Sequence, residues 1–595
     1  MNFPRALRAR IGNGLGEAGL LLVLPLVFHR SFVEQFSTPK FFLTKCLIIT
    51  GLAVWAVDAL RRPASRLRGF PLGWPLLTFG LAVLVSCHNS PAPRFSLQDA
   101  GFALCGPVWV LLLVSWERGE SAVHRIATWT GAAGALVAGI VWLQRLGYDP
   151  VLLGGYRVNW GTMVERMRLY STLGNPNFVG GYLIGAIFPA LALAAGLRAR
   201  WARALWLGLA AVMAGAIAET GSRGAWFGLA VGLAVALAIA LRKGPPRAQV
   251  RQPEGRAGSK TPRCVAPAWG WPVALLTLTL AERLVSQFRG RLYLWRFSWP
   301  IFWEHPILGS GWGTYQLLYL EFQGRFLAAH PEYAVNWTNN RLLHNDPMQL
   351  LLETGLLGFG AFVWILWTYG REAGRVLRQT AGAGTRYGIA ASAGGITAIL
   401  MDSLFNFQFE VPPTFILLFT LLAIPTMLHG AEVEEKGEGQ PAPTLPARRS
   451  PWLLAVKLAC SLAILAAAGG LLWQQTRVLA SERTYRSATV SEHAGDLAGA
   501  ETAYRRSVEL NPSNGRAHFG LSRVYYMAQR FSEALEEVVR AERTYTDSHQ
   551  EVLRARILEQ MDRGDDALAA YRHAVWLDPT LTSIQADIER LSNPR

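Results

Sequence analysis

The chain has 595 residues, 51% of them apolar and 17% charged, with 22 tryptophans. Its apolar residues run in blocks too long for the helices of a soluble core, which excludes a soluble globular enzyme and makes the chain a polytopic membrane protein, with the lipid bilayer as its first partner. The formal charge of +17 would suit a nucleic-acid binder. The excess, however, lies in the membrane half and alternates from loop to loop, so the basic balance reports topology and no nucleic-acid partner is expected.

In chain order, predicted spans begin near Gly16, Phe41, Phe70, Ala100, Ala122, Pro176, Trp201, Gly224, Trp269, Pro347, Gly388, Val411 and Pro451. The one from Trp269, WGWPVALLTLTLA, is the shortest. MNFPRALRAR is basic, but the apolar run after it leads straight into further spans, so it is read as an uncleaved anchor. Loops near Arg5 to Arg10, Arg61 to Arg68, Arg198 to Arg203, Arg242 to Arg263 and Arg371 to Arg386 carry the basic runs and are placed inside. The loops at Arg145 to Asn175, Glu219 to Arg223, Arg283 to Asp346 and Asn406 to Pro412 then fall outside. Five scattered cysteines, Cys46, Cys87, Cys105, Cys264 and Cys460, form no CxxC pair, disulfide framework or thiolate cluster.

The expected organisation is all-α: a polytopic membrane domain over 1–430 with a large outside loop at 283–346, a linker at 431–450, a final transmembrane helix at 451–473 and a helical-repeat domain at 481–595. In the last part Ala500, Tyr504, Ser507 and Pro512 recur as Ala534, Val538, Ala541 and Thr546, then as Ala567, Tyr571, Ala574 and Pro579. That spacing resembles the tetratricopeptide repeat, a helix pair that stacks on its neighbours and serves either as a structural cap or as a contact for a protein partner.

Three outward-facing spans start with helix-capping chemistry. In HNDPMQ, Asp346 is suited to the N-cap, Pro347 to the first helical position and Gln349 to a capping box; in GNPNF, Asn175 and Pro176 repeat the arrangement before Asn177; in GSRGAW, Ser222 precedes the span. By alternation these starts share one membrane face, and a cluster of free amides at positive dipole ends suits phosphate or diphosphate. Arg168, Arg223, Arg289, Arg291 and Arg296 accompany them, each either a two-pronged phosphate ligand or an interfacial anchor whose head snorkels to the lipid headgroups. Arg223 stands alone in a very short outside loop, against the positive-inside bias. His344 lies just before a helix start whose positive end disfavours imidazolium, leaving a neutral ring able to take a proton from a hydroxyl. Glu353 and Asp402 are acids within or at the end of spans, costly in lipid and weak candidates for a site. No HExxH, DxD or Walker sequence points to a metal or nucleotide.

The ordered set GNPNFVGGYL, TGSRGAW, GRLYLWRFSWPIFWEHPILGSGWGTY and HNDPMQLLLETGLLGF resembles the O-antigen ligase and O-antigen polymerase superfamily of bacterial membrane glycosyltransferases. The resemblance covers most of residues 1–430, with its specific part between about Arg168 and Phe359. It implies transfer of a glycan from an undecaprenyl-diphosphate carrier to an acceptor hydroxyl at the periplasmic face of the inner membrane, with no metal or other cofactor. The acceptor it implies is a lipid or a protein. His344 would then activate the acceptor, with Arg223 and Arg291 on the diphosphate. Ligase, polymerase and protein O-oligosaccharyltransferase stay open as activities, and a lipid-linked glycan transporter or an envelope scaffold as other classes. The added repeats depart from the simplest members.

Overall fold

A computed structural model describes residues 16–61, 70–155, 167–242, 291–380, 382–437 and 451–593. The protein is helical throughout this range, apart from one short antiparallel pair in which Tyr148 faces Gly155 and Asp149 faces Gly154. After a short helical entry segment, the membrane domain comprises α1 (Ser37–Arg61), α2 (Gly73–Ser86), α3 (Pro93–Ala103), α4 (Cys105–Trp116), α5 (Gly119–Arg145), α6 (Pro176–Gly196), α7 (Arg200–Thr220) and α8 (Arg223–Ala240). It resumes with α9 at 291–304, α10 (Tyr315–Ala329), α11 (Asp346–Gln379), α12 (Ala383–Ser403) and α13 (Pro412–Gly437).

Nine helices among the described residues are long and apolar enough to cross a membrane. The difference from thirteen predicted spans has identifiable sources. The segment from Gly16 is a π and 3-10 element, α2 has 14 residues, and α12 carries Arg386 and Asp402. The span predicted from Trp269 lies outside the described residues, as do Cys264 and Arg289. α3 and α4 follow one another through Leu104 and together make a single span, Pro93–Trp116.

Small residues let the central helices touch. Gly224, Gly228 and Gly232 form a stripe at four-residue intervals on α8, where any Cβ would run into Asp402, the carbonyl of Ala398 or the carbonyl of Gly394 on α12. On α5, Gly134 meets Met213 and Ala186 in the same way. Without a hydrophobic drive between helices in lipid, such backbone proximity is what gives dispersion its grip. α6 has 78% of its apolar window buried and α13 94%; both run through the centre of the bundle.

The helix that begins at Pro451 continues beyond the expected span. Pro451–His493 is one 43-residue helix, α14, whose far end packs on α15 (Leu497–Leu510), with Ser481 and Ser507 hydrogen-bonded across the pair at 2.9 Å. The repeats continue as α16 (Gly515–Met527), α17 (Phe531–Glu542), α18 (Ser548–Gln560), α19 (Gly564–Leu577) and α20 (Gln585–Ser592). Ala500, Tyr504, Ser507, Ala534, Val538, Ala541, Ala567, Tyr571 and Ala574 are all buried, so the recurring positions are the packing face of alternate helices. The repeats rest on the large loop: Trp337 Nε1 donates to the carbonyl of Leu577 (2.9 Å), and Thr546 Oγ1 to that of Leu317 (3.0 Å).

Candidate functional site

The connection between α12 and α13 is the point where three helix starts converge. Gln408 donates through Nε2 to the carbonyl of Asn177 in the first turn of α6 (3.3 Å) and to Asp402 Oδ2 (2.6 Å). Asn406 Nδ2 donates to Asp402 Oδ1 (2.6 Å), and both side chains face Gly224 in the first turn of α8. The Phe409 amide donates to Asp346 Oδ2 in the first turn of α11 (3.0 Å). The three starts therefore meet at one connection.

Of the two expected caps, one forms and one is displaced by a residue. Asn175 caps α6 as expected, accepting the Asn177 amide at 2.9 Å ahead of Pro176. At α11 the cap is Asn345 and not Asp346. Asn345 has extended backbone and its amide oxygen accepts the Met348 amide at 2.9 Å, which leaves Asp346 as the first helical residue, buried and turned to Phe409. Gln349 forms no capping box, because its side chain accepts from the Leu343 amide and donates to Glu353 (both 3.3 Å). Ser222 precedes α8 without a side-chain cap, and its buried hydroxyl has no hydrogen-bond partner among the described residues.

His344 sits at the edge of this convergence with φ 55°, a left-handed conformation that histidine adopts more readily than most residues but seldom without a constraint. The constraint is visible on either side: Leu343 is fully buried, its carbonyl accepting Trp295 Nε1 (3.3 Å), and Asn345 is committed to the cap. The half-buried imidazole meets Phe407 edge-on at 4.8 Å, and Phe407 meets Phe178 of α6 at 5.2 Å. Its Nδ1 is buried with no hydrogen-bond partner among the described residues. Burial first, and the Arg291 guanidinium second, hold the imidazole down at about 4, so it is neutral near pH 7. Arg291, at the start of α9, lies over the Phe405 ring at 5.9 Å and is itself pushed down by burial, with the Asp402 carboxylate opposing.

The motif HPILGSGWGTY is scaffold for this site. α11 is broken at Gly355, with φ 62° and ψ −166°, and the loop threads into the break: the amides of Ser310 and Gly311 donate to the carbonyls of Leu352 and Glu353, and those of Leu356 and Leu357 to Pro306 and Ile307. Glu353 is buried and accepts the amides of Gly313 (2.9 Å) and Tyr315 (3.1 Å), so its cost in the membrane domain is offset by hydrogen bonds that fix the loop.

Arg223 is the first residue of α8 and half-buried beside the convergence, and Arg168 is half-buried in the turn leading to α6. Arg296 is exposed and donates to Tyr333 Oη at 2.9 Å, pointing into the large loop. Asp402, Asn406 and Gln408 form a buried polar cluster that no sequence motif marks. The available signal was the density of polar groups in DSLFNFQFE between two apolar spans. Among the described residues no group of three or more His, Cys, Asp or Glu side chains is disposed to hold a metal ion.

The geometry around Arg223, Arg291 and His344 falls within one stretch of chain that has known counterparts. Residues 208–363 match the O-antigen ligase family model. Residues 493–557 match a tetratricopeptide repeat model. The ligase-type region thus carries Arg223, Arg291, His344, Asp346 and Glu353, while Arg168, Asn175 and Asn177 on one side and Asp402 on the other lie outside the matched stretch. Among solved structures, the Arabidopsis OM64 TPR domain aligns with 19% of this chain and 96% of its own length, at 20% identity and a TM-score of 0.19. No curated protein matches the chain. The protein is a multi-pass membrane protein with an O-antigen ligase-type region and C-terminal tetratricopeptide repeats.

Proposed function

We propose that the protein is a bacterial inner-membrane glycosyltransferase that moves a glycan from an undecaprenyl-diphosphate carrier to an acceptor hydroxyl at the periplasmic face, in the manner of an O-antigen ligase. One observation carries the reading: a neutral histidine with an unpartnered buried nitrogen stands next to Arg291, where three helix starts converge. The reaction is a single displacement with inversion. The acceptor hydroxyl gives its proton to His344 as its oxygen bonds to the anomeric carbon, and the bond from that carbon to the diphosphate oxygen breaks. The electron pair leaves with the lipid diphosphate.

Arg223 and Arg291, joined by Arg168 and Arg289, bind the diphosphate oxygens, and the amides at the starts of α6, α8 and α11 add positive potential where charge develops. Asn175 and Asp346 support that arrangement by fixing two of the helix starts, as does Asn177 through its carbonyl. A donor diphosphate opposes the field of Arg291, so its arrival raises the basicity of His344 at the moment a base is required. A transporter would gather its polar groups near the membrane midplane, whereas these groups gather at one end of their helices.

Deletion of the gene, followed by analysis of lipid-linked, lipopolysaccharide-linked and protein-linked glycans, tests the reading. Accumulation of carrier-linked polymer indicates a ligase and accumulation of single carrier-linked units a polymerase; loss of glycan from proteins alone indicates a protein O-oligosaccharyltransferase. Unchanged glycans in all three pools would defeat the transferase reading.

A further inference from the structure

A second site lies between the repeats and the membrane domain. A cavity of about 360 Å³ is walled on one side by Lys45, Phe95, Gln98 and Asp99, and on the other by Asn511, Ser513, Asn514 and Arg516, with Arg341 and Tyr545 closing one end. Its volume falls in the range of small-molecule sites, about 300–1,000 Å³. Its two arginines are already paired within the protein. Arg516 pairs with Glu34 (3.7 Å) and Glu482 (3.4 Å), Arg341 pairs with Asp547 (3.5 Å) while lying over the Tyr545 ring at 4.3 Å, and Asp99 faces the charge of Lys45.

A phosphate headgroup or a charged peptide drawn to these arginines would compete with the carboxylates that already pair with them. A neutral polyhydroxyl chain would not. Sugar hydroxyls both donate and accept, which suits a wall of amides, hydroxyls and paired arginines, and the apolar faces of sugar rings suit the aromatic surface of Phe95. Position adds to chemistry. Arg341 is three residues before His344, and three residues of extended chain span no more than about 10 Å.

We propose that the junction of the repeats with the membrane domain is a carbohydrate subsite that holds a short glycan segment beside His344. It rests on the glycosyltransferase reading for its place in a reaction, but not for its chemistry. The repeats then act on the glycan itself, by forming half of its binding cleft.

The test uses full-length protein in nanodiscs. The probes are the oligosaccharide released from the host's carrier-linked glycan by mild acid, undecaprenyl diphosphate without sugar, and the acceptor oligosaccharide. Ser513→Trp and Gln98→Trp fill the cavity from opposite walls. Each is expected to weaken binding of an oligosaccharide at least tenfold while leaving undecaprenyl diphosphate binding unchanged. Weakening confined to the released oligosaccharide assigns the subsite to the donor glycan, and weakening confined to the acceptor oligosaccharide assigns it to the acceptor.

Should a filled variant misfold, a diazirine-bearing oligosaccharide photolysed on the wild-type protein gives the same answer. Labelling of the peptides holding Phe95 to Asp99 and Asn511 to Arg516 supports the subsite, and labelling only elsewhere overturns it. Unchanged oligosaccharide binding by folded Ser513→Trp and Gln98→Trp also overturns it. A wild-type protein that binds the oligosaccharide here yet transfers nothing would sink the glycosyltransferase reading and leave the subsite standing.

Discussion

His344 combines three features that seldom coincide: left-handed backbone, a buried ring nitrogen without a hydrogen-bond partner among the described residues, and a cationic neighbour. As the base of the proposed reaction, its replacement in His344→Ala should lower transfer by roughly 10²–10⁴-fold, with expression and thermal unfolding unchanged. Full transfer by a well-folded His344→Ala protein would remove His344 from the chemistry. The pH dependence has a defined sign. A base works deprotonated, so activity falls as pH falls through its pKa. For free protein that is about 4, so kcat/KM for the donor should hold until strongly acidic pH. In the donor complex the diphosphate raises it, so the acid limb of kcat should lie at higher pH than that of kcat/KM. Coincident limbs would show that the donor does not tune the base. Arg223→Lys and Arg291→Lys keep the charge but lose the planar fork. Losing one charge-assisted hydrogen bond of about 1.5–3 kcal/mol should weaken donor binding or transfer by roughly ten- to a hundredfold, read by titration with undecaprenyl diphosphate and by initial rates. A Lys variant indistinguishable from wild type would reduce that arginine to an interfacial anchor.

At the scale of elements, α11 is two helical pieces joined at Gly355, and the loop carrying Ser310 and Gly311 is stitched to the break by backbone hydrogen bonds. A Cβ at Gly355 would overlap the backbone of Ile307 and Gly309, and the left-handed conformation alone costs a non-glycine residue about 1–3 kcal/mol. Gly355→Ala should therefore lower the unfolding temperature and also reduce transfer, because the first half of α11 carries Asp346 and adjoins His344. Gly360, on the same helix with no atom near its absent Cβ, provides the control: Gly360→Ala should be neutral to slightly stabilising. Equal thermal stability of Gly355→Ala and Gly360→Ala would mean that the loop and the break are not coupled as the hydrogen bonds indicate.

At the scale of the whole molecule, α14 serves both as the last span and as the first helix under the repeats, so the repeat domain has no flexible tether to the bilayer. Its other anchor is the large loop, through Trp337 to Leu577 and Thr546 to Leu317. Both contacts require the loop and the repeats to lie on one side of the membrane. Reporter fusions after Arg325 and after Arg595, one reporter active only in the periplasm and one only in the cytoplasm, should therefore agree, and the proposed placing of the basic loops inside predicts a periplasmic signal at both. Opposite signals at the two positions would contradict the docking of the repeats on the loop.

The helical membrane class, the repeat period and two of the helix starts were legible in the sequence because each is local: apolar run length, a fixed spacing of small residues, and a Pro after Asn or Asp. Which residue caps α11 was not, because Asn345 and Asp346 are both competent caps, and only the demand of the Phe409 amide for an acceptor draws Asp346 away. The role of Glu353 was equally hidden, since its partners are backbone amides 38 and 40 residues distant, which carry no side-chain signature. The same holds for Asp402, Asn406 and Gln408, whose importance comes from touching α6 and α8, far apart in the chain. Sequence determines what each segment does in its own neighbourhood. Only the packed structure decides which distant amides, carboxylates and guanidinium groups share a buried site, because that depends on how the helices approach one another.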